Sequence, residues 1–441
     1  MTIWAPRLQK SNDPIYARIA DALERDVRKG VLVAGSQLPT HRDLARELGI
    51  TPVTVTRAYS EAAKRGLVES SIGRGTFVRA LRTNGATSKE IDLATNAITI
   101  PLPSPSMALL ERAAATLGSN YAIGPGSERH RAAGAAWIGR RTDPARVVVT
   151  AGTQHALLLA LAATTRPGDA LFCESITYHG AKAAAALLNL RLVPLPLDRD
   201  GLRADAFERA CSARTAKVLY TIPTLHNPTG TVMPEKRRRE IAAIAEKYGI
   251  AIIEDDVCGF LIEKTPPPLA AFAPERTLFL TGLGKAIAPA LRVGYLAAPE
   301  AFLQRVHAAL AASVLFSSPL VAEIAASWIE DGTAGRIVRQ KRAEASLRNR
   351  IARTILRETK SDPRSLHLWV ELPRRWTPDA FAEEARRRRV RVASASSFAA
   401  GADVPRAIRI SVGAPASVAE LETALHTIMG IEEERAQEPV V

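Results

Sequence analysis

The sequence predicts a two-part protein, in which a small domain of helices with a two-stranded wing precedes a large α/β domain with a mostly parallel sheet. Between residues 14 and 78, three helical patterns are followed by two short strands joined through a glycine-rich turn. From residue 91 onward, short apolar strands alternate with helical patterns, as in sheets covered by helices on both faces. A chain of 441 residues is also too long for one ordinary core.

The first domain begins with a helix-turn-helix pattern. Apolar residues recur every four positions over residues 14–29, which predicts a first helix. The second helix is expected to open at residues 40–43, with Thr40 or a neighbour as its N-cap, and to stop at Gly49. In the third, Thr51 is the expected N-cap and Pro52 takes the first position, where the missing amide hydrogen costs nothing.

A two-stranded wing is predicted next, over residues 66–69 and 71–78, with a basic tip. The order of elements, the phrase LPTHRDLARELG and the ending GRGTFV closely resemble the GntR-type winged helix-turn-helix over nearly all of residues 10–79. The resemblance implies binding to a double-stranded DNA operator, with the third helix in the major groove and the wing near the minor groove. The implied DNA contacts are Arg42, Thr54, Thr56, Arg57 and Arg74.

Charge and symmetry bear on how this domain would bind DNA. Residues 1–80 carry thirteen Lys and Arg against eight Asp and Glu, a net charge of +5 that is enough for phosphate contacts. Many relatives carry an arginine where this chain has Pro52, so base specificity does not transfer. One recognition helix reads a half-site, which predicts a homodimer. The alternative is a winged helix that binds protein, with Arg42 in a surface ion pair.

The totals of the chain favour a cytoplasmic protein. The formal net charge of +14 is spread along the sequence and is weak evidence for nucleic acid by itself. The three cysteines are far apart, without the spacing of a disulfide or a metal site. No apolar run approaches the roughly 20 residues that span a bilayer, and no signal peptide is expected. Residues 80–90 are polar and read as a short linker.

Seven strands are predicted in the large domain, and ligands of such sheets sit at the carboxyl ends of the strands. The strands are expected at residues 147–150, 170–174, 191–195, 218–222, 251–254, 277–281 and 294–297.

The motifs at these strand ends form a chemical set. They are an HNPTG segment that begins at His226, an acidic run that contains Asp255, the lysine Lys285, and then Arg292. They offer an amide, a carboxylate, an amine and a phosphate-binding cation. An aldehyde cofactor with a pyridine ring and a phosphate needs this set, because the amine forms a Schiff base and the carboxylate keeps the ring nitrogen protonated.

The order and spacing resemble the fold type I aminotransferases that use pyridoxal 5'-phosphate (PLP). The resemblance implies that Lys285 carries the PLP aldimine, that Asp255 pairs with the ring nitrogen and that Asn227 hydrogen-bonds the phenolate oxygen. It assigns the phosphate to Arg292, and the small residues Gly152 and Thr153 at a helix N-terminus suit the same group. The other residues implied are Tyr178 against the ring face, Tyr121 near the partner subunit's cofactor, and Arg409 at a substrate or effector carboxylate.

Several of these residues also have an ordinary structural interpretation, and for Lys285 it is a solvated lysine in a loop. Gly152 and Thr153 could cap a helix without a ligand, Tyr178 could be a core or rim residue, and Arg409 could form a surface ion pair. The sequence differs from the aminotransferase pattern in two respects, and both weaken the hypothesis that the domain is an enzyme. Relatives usually carry serines at the positions of Gly282 and Gly284, and many carry a tyrosine soon after the aspartate, where this chain has Val257 and Cys258.

The whole arrangement resembles the MocR family of bacterial transcriptional regulators. It implies a GntR-like domain over residues 1–79 and an aminotransferase-like domain over 91–435, whose small subdomain covers about 331–435 and part of 91–120. In this family a PLP-bound domain senses an amine, an amino acid or PLP, and the protein is a head-to-tail homodimer. The alternatives are an active aminotransferase with an attached DNA-binding domain, and a DNA-binding regulator with a PLP-free scaffold.

Overall fold

The chain divides into two compact units, Met1–Lys89 and Glu90–Val441. The computed structural model of the chain describes residues 4–6, 14–28, 32, 36–64, 67–71, 75–78, 90–98, 100–116, 124–139, 142–213, 216–356 and 359–434. The expected linker, apart from Glu90, lies outside the described residues. None of the helices in these ranges is long and apolar enough to cross a membrane.

The first unit is a winged helix-turn-helix, as predicted. Thr40 caps the second helix by accepting a hydrogen bond from the Asp43 amide, and Gly49 ends that helix in the left-handed region at φ 63°. The wing strands pair antiparallel, and Gln37 bridges to Phe77 on the second of them. The elements are α1 (Ile15–Arg28), α2 (His41–Leu48), α3 (Pro52–Lys64), β1 (Val68–Ser71) and β2 (Gly75–Val78).

The second unit contains the predicted α/β sheet and a smaller lobe. Its helices are α4 (Met107–Ala115), α5 (Glu128–Ile138), α6 (Thr153–Thr164), α7 (His179–Leu187), α8 (Ala204–Ser212), α9 (Glu235–Tyr248), α10 (Leu283–Ala286), α11 (Glu300–Ser313), α12 (Pro319–Glu330), α13 (Thr333–Ile355), α14 (Pro378–Arg387) and α15 (Val418–Glu434). Its strands are β3 (Ile91–Asp92), β4 (Val147–Thr150), β5 (Ala170–Glu174), β6 (Arg191–Leu195), β7 (Leu197–Asp198), β8 (Gly201–Leu202), β9 (Val218–Thr221), β10 (Ala251–Asp255), β11 (Thr277–Gly282), β12 (Gly294–Ala297), β13 (His367–Glu371), β14 (Val390–Arg391), β15 (Ala393–Ser394) and β16 (Ala407–Ser411).

The seven strands predicted for the large sheet all form it, in the order β4-β12-β11-β10-β9-β5-β6. Strands β6, β5, β9, β10 and β11 run parallel, whereas β12 is antiparallel to both of its neighbours. The reason is the short connection from β11 to β12, residues 283–293, which is too short for a crossover. This connection holds both Lys285 and Arg292, so the reversal brings them to the same edge of the sheet.

Apolar cores lie on both faces of this sheet. One core packs the side chains of β4, β5, β9 and β11 against α6, α7 and α11. On the other face, one cluster includes α5, α12 and α13, and a second includes α8 and α9. This is the two-sided helical cover that the alternation of strands and helices predicts.

The smaller lobe has its own core. A three-stranded antiparallel sheet, β13-β16-β15, packs with α14, α15 and the last turns of α13. Strand β3, which begins the unit, pairs in parallel with β14. The start of the second unit therefore joins the lobe built by its last hundred residues. Helix α13 runs from the large-sheet core into this lobe, because it contributes buried residues to both.

Candidate functional site

Small residues and an arginine side chain meet where α6 begins. Gly152 precedes α6 at φ 87°, a conformation that suits glycine, and a Cβ there would lie 2.9 Å from Arg292 Nη2. Arg292 is held at φ 47°, and its guanidinium donates to the Ala151 carbonyl at 3.4 Å. The predicted residues Gly152, Thr153 and Arg292 are thus brought together at a helix N-terminus, where an anion is favoured.

The structure gives a reason for Gly282, one of the two departures from the expected serines. A Cβ on Gly282 would lie 2.5 Å from Thr153 Oγ1 and 3.0 Å from the Val293 carbonyl oxygen. The Thr153 hydroxyl therefore occupies the space beside this strand end that a serine side chain would need. For Gly284 the surroundings are open, with nothing within 4 Å of a built Cβ.

Asp255 is the last residue of β10, and its side chain is buried. Its Oδ2 accepts a hydrogen bond from the Tyr220 hydroxyl at 2.8 Å, and its Oδ1 accepts one from the Val257 amide at 3.3 Å. Burial raises the pKa of the Asp255 carboxyl, and the hydrogen bond from Tyr220 and the charge of Lys285 oppose this effect. Within the described ranges, no cation lies at salt-bridge distance from this carboxylate.

Lys285 lies on the single turn α10, next to Cys258. Its Nζ is 3.9 Å from Cys258 Sγ, and the thiol is buried. Burial raises the pKa of this thiol, and the charge of Lys285 opposes this effect. Cys258 is one of the two residues, with Val257, at the place where the resemblance implies a tyrosine, and a thiol is only a weak hydrogen-bond donor.

Arg409, on β16, is almost fully buried and bridges the two lobes. Its Nη1 donates to Asn227 Oδ1 at 2.7 Å, its Nη2 donates to the Ala94 carbonyl, and its Cζ lies 4.9 Å from the centre of the Phe398 ring. Burial lowers the pKa of the guanidinium to about 10. In the described part of the chain it has no carboxylate partner, contrary to the ion-pair alternative, and its buried Nε has no hydrogen-bond acceptor.

Tyr178 is the residue that directly precedes α7, and its side chain makes no capping hydrogen bond to that helix. Burial raises the pKa of its phenol, with Asp255 adding to the rise and with Arg292 and Arg409 opposing it. The segment before Tyr178 is tied to the smaller lobe, since Ile176 and Ala399 form an antiparallel bridge. The electrostatic effects on Tyr178 indicate that the predicted residues Asp255, Arg292 and Arg409 lie near it. Tyr121 lies outside the described residues.

Two buried residues at the site were missed by the sequence reasoning. Tyr220 hydrogen-bonds Asp255, and Lys341 of α13 donates to the carbonyl of Lys285 itself at 2.8 Å. Tyr220 carries a polar group inside the apolar strand β9. Lys341 interrupts the apolar stripe of α13, four residues after Ile337 and four before Ala345. In both cases the sequence places a polar side chain at a position that is expected to face the core, and this pattern could have indicated a buried polar contact.

In the first unit, α3 presents a partly exposed face that carries three of the five predicted DNA contacts. Arg57 and Thr56 are exposed on α3, and Arg42 is exposed on α2; the two arginines have no ion-pair partner within the described ranges. The Thr56 hydroxyl is shared with its own helix, through a 3.0 Å bond to the Pro52 carbonyl. Thr54 is half-buried and contacts the Thr51 hydroxyl at 2.9 Å. Arg74 lies outside the described residues.

Comparison with known families gives two matches that together cover most of the chain. Residues 15–78 match the gntR family of bacterial regulatory proteins, and residues 88–428 match aminotransferase class I and II. A curated relative, the uncharacterized HTH-type transcriptional regulator YdeF of Bacillus subtilis, is 31% identical over 444 residues, which is 96% of this chain and 95% of that protein.

Solved aminotransferases share the fold of the second unit. An archaeal alanine:glyoxylate aminotransferase superposes with a TM-score of 0.71 at 24% identity, over 79% of this chain and 92% of that one. The α-aminoadipate aminotransferase LysN of Thermus thermophilus, solved with N-(5'-phosphopyridoxyl)-L-leucine, gives a TM-score of 0.67 at 24% identity, over 85% of this chain and 99% of that one. At these identities the likeness concerns the fold.

Proposed function

The chain belongs to the aminotransferase class I and II family and carries a gntR-family domain, which is the MocR architecture, and from this premise we propose that it is a DNA-binding transcriptional regulator whose second unit binds PLP and senses an amine or amino acid. The relatives that match it along nearly their whole length are named as HTH-type transcriptional regulators. This favours regulation over an attached enzyme as the role of the whole chain.

The observation that carries the cofactor proposal is a pair of buried charges without opposite partners. Asp255 is a buried carboxylate that lacks a cation, and Arg409 is a buried guanidinium that lacks a carboxylate, both judged over the described residues. An unpaired buried charge is costly, so both are expected to be paired in the working protein. A protonated pyridine nitrogen suits the first, and the carboxylate of an effector suits the second.

The remaining residues fit the same ligand. The α6 N-terminus with Thr153 and Arg292 would hold the phosphate, Tyr178 would cover a ring face, and Asn227 would hydrogen-bond the ring oxygen. When bound, PLP supplies an aldehyde that bonds amines covalently and a ring that withdraws electrons. Lys285 would be the amine that holds it. An effector that is an amino acid would place its carboxylate beside Arg409, and an effector without a carboxylate would lack this contact.

The test of this proposal is an absorbance spectrum of the full-length protein with added PLP, before and after borohydride. A visible band that disappears on reduction, with the adduct mapped to Lys285, would support the proposal. A protein that shows no band at saturating PLP would contradict it and favour a PLP-free scaffold. An active aminotransferase would instead convert added amino donor and keto acceptor through many turnovers, whereas we expect little or none.

DNA binding is tested independently of the cofactor. We expect the full-length protein to bind an operator that is selected from a random pool of DNA. Arg57→Ala should weaken that binding and should lower the slope of log affinity against log salt concentration by about one, as expected for the loss of one phosphate contact. Arg25→Ala on α1 is a suitable control, because Arg25 lies beside Asp26 on a different helix. Equal losses in the two variants would contradict the role assigned to α3. By the half-site argument, sedimentation should show a homodimer.

A further inference from the structure

We propose that Lys341 is a positioning residue that fixes the backbone of Lys285 to α13. Because α13 joins the two lobes, a movement of this helix would then move the cofactor-binding lysine with it. This inference rests on the proposed function, because it takes Lys285 as the residue that holds the cofactor. The motifs at the strand ends do not include Lys341.

The geometry is specific to the turn that carries Lys285. The Lys341 ammonium donates to the carbonyl oxygen of Lys285 at 2.8 Å and to that of Ile287 at 2.8 Å. Helix α10 is one turn long, so these last carbonyls have no later amide of the same helix to accept from. Lys341 satisfies both from a neighbouring helix and closes the end of the turn.

The chemistry of Lys341 indicates more than space filling. The residue is 1% exposed, and its ammonium has no carboxylate partner among the described residues. Burial lowers the pKa of the amine to about 8. A methionine would fill similar volume without this desolvation cost, so the donors of the lysine are the property that the site uses.

Helix α13 connects this contact to the rest of the second unit. Its first turns, with Ala334 and Ile337, share a core with Leu283 and Ala286 of α10. Ala345, one turn beyond Lys341, packs with Cys258, and Ala352 lies in the core of the smaller lobe. A shift of that lobe when an effector binds at Arg409 therefore reaches Lys285 through a helix that is bonded to its backbone.

The experiment compares Lys341→Met with Asn349→Leu in the full-length protein. Asn349 is a matched control, because it is fully buried on the same helix and donates to a distant carbonyl, that of Ser365, at 2.8 Å. Both variants should lower the melting temperature. We expect Lys341→Met alone to weaken PLP binding at least tenfold and to change the circular dichroism of the cofactor band, which reports how the ring is oriented.

The outcomes separate the two proposals. A wild-type protein without a borohydride-sensitive band would overturn the proposed function and this inference with it. A normal wild-type band, with the same PLP affinity and dichroism in Lys341→Met as in Asn349→Leu, would overturn this inference alone. If Lys341→Met does not fold, Lys341→Gln keeps an amide donor on a shorter side chain. It is expected to fold and to shift the dichroism partway, and an unchanged dichroism would again overturn the inference.

Discussion

At the scale of single residues, the site depends on buried acids whose surroundings tune their charge. Asp255 is buried and its pKa is raised by that burial, yet a partner for a ring nitrogen must be ionised. The Tyr220 hydroxyl offsets part of the burial, because it donates to Oδ2 and stabilises the ionised form. Tyr220 therefore helps Asp255 to keep its charge in an apolar environment.

Replacement of Tyr220 by phenylalanine tests this role. A hydrogen bond to a charged group contributes about 1.5–3 kcal/mol, so Tyr220→Phe is expected to weaken PLP binding by roughly ten- to a hundredfold in an absorbance titration. Tyr295→Phe is the control, since Tyr295 is an equally buried tyrosine of the same sheet and packs in a core away from Asp255. A loss of affinity as large in Tyr295→Phe would contradict the assignment.

Glu174, at the end of β5, predicts a pH dependence of stability. It is buried and accepts hydrogen bonds from Thr221, Thr177 and the Ile222 amide, and burial raises its pKa from 4.5 to about 7. Because the folded state holds this proton more tightly than the unfolded chain, Glu174 stabilises the fold below pH 4.5, and this contribution is lost as the pH rises to about 7. The shift corresponds to about 3 kcal/mol.

Glu174→Gln should remove this contribution. Relative to wild type, the free energy of unfolding of the variant should rise by up to about 3 kcal/mol between pH 4.5 and 7, measured by urea unfolding. Tryptophan fluorescence is a suitable signal, because four of the five tryptophans belong to the second unit. Glu263→Gln, at an exposed carboxylate, is the control. If the difference in the free energy of unfolding between Glu174→Gln and wild type did not change with pH, Glu174 would not titrate in this range.

At the scale of elements, the start of α6 is the feature on which phosphate binding depends. Gly152 has a positive φ, and its missing Cβ leaves room for the Arg292 guanidinium against the backbone. Gly152→Ala would strain the backbone and displace Arg292. We therefore expect the variant to lose at least tenfold in affinity for PLP, but to lose little affinity for pyridoxal, which lacks the phosphate.

The two ligands make this experiment selective for the phosphate contact. Gly430→Ala is the matched control, because Gly430 lies within α15 and nothing is within 4 Å of a built Cβ. This control should bind both ligands normally and be slightly more stable, by up to about 1 kcal/mol, since alanine is the better helix former. Equal losses for PLP and pyridoxal in Gly152→Ala would indicate general damage instead of a lost phosphate cradle.

At the scale of the whole molecule, the proposed regulator must convert effector binding into a change of DNA affinity. Arg409 is the residue expected to recognise an effector carboxylate, so Arg409→Met should weaken the response to an amino acid at least tenfold. The response to the corresponding decarboxylated amine should change little. The measurement is operator binding by fluorescence anisotropy against effector concentration, and a parallel loss for both compounds would contradict the carboxylate role.

The order of local patterns was enough to predict much of the fold. Strand periodicity, the caps Thr40 and Thr51, and the glycine at position 49 are local signals, and the seven strands predicted for the large sheet agree with the structure to within one residue at either end. The prediction was less accurate in the wing, where the first strand was expected at residues 66–69 and is Val68–Ser71. The strand-end motifs predicted which residues would meet, because the carboxyl ends of neighbouring parallel strands share one edge. The antiparallel direction of β12 is explained by the short connection from β11, residues 283–293, and the length of this connection can be estimated from the sequence.

Side-chain partnerships across the fold were decided only by tertiary structure. The bond from Tyr220 to Asp255 depends on the pairing of β9 with β10, and the bond from Lys341 to Lys285 depends on how α13 crosses α10. Likewise, Thr153 fills the space at Gly282 although the two lie far apart in the chain. Local patterns specify which face of an element is buried, but the partner of each buried polar atom is set by long-range packing and register.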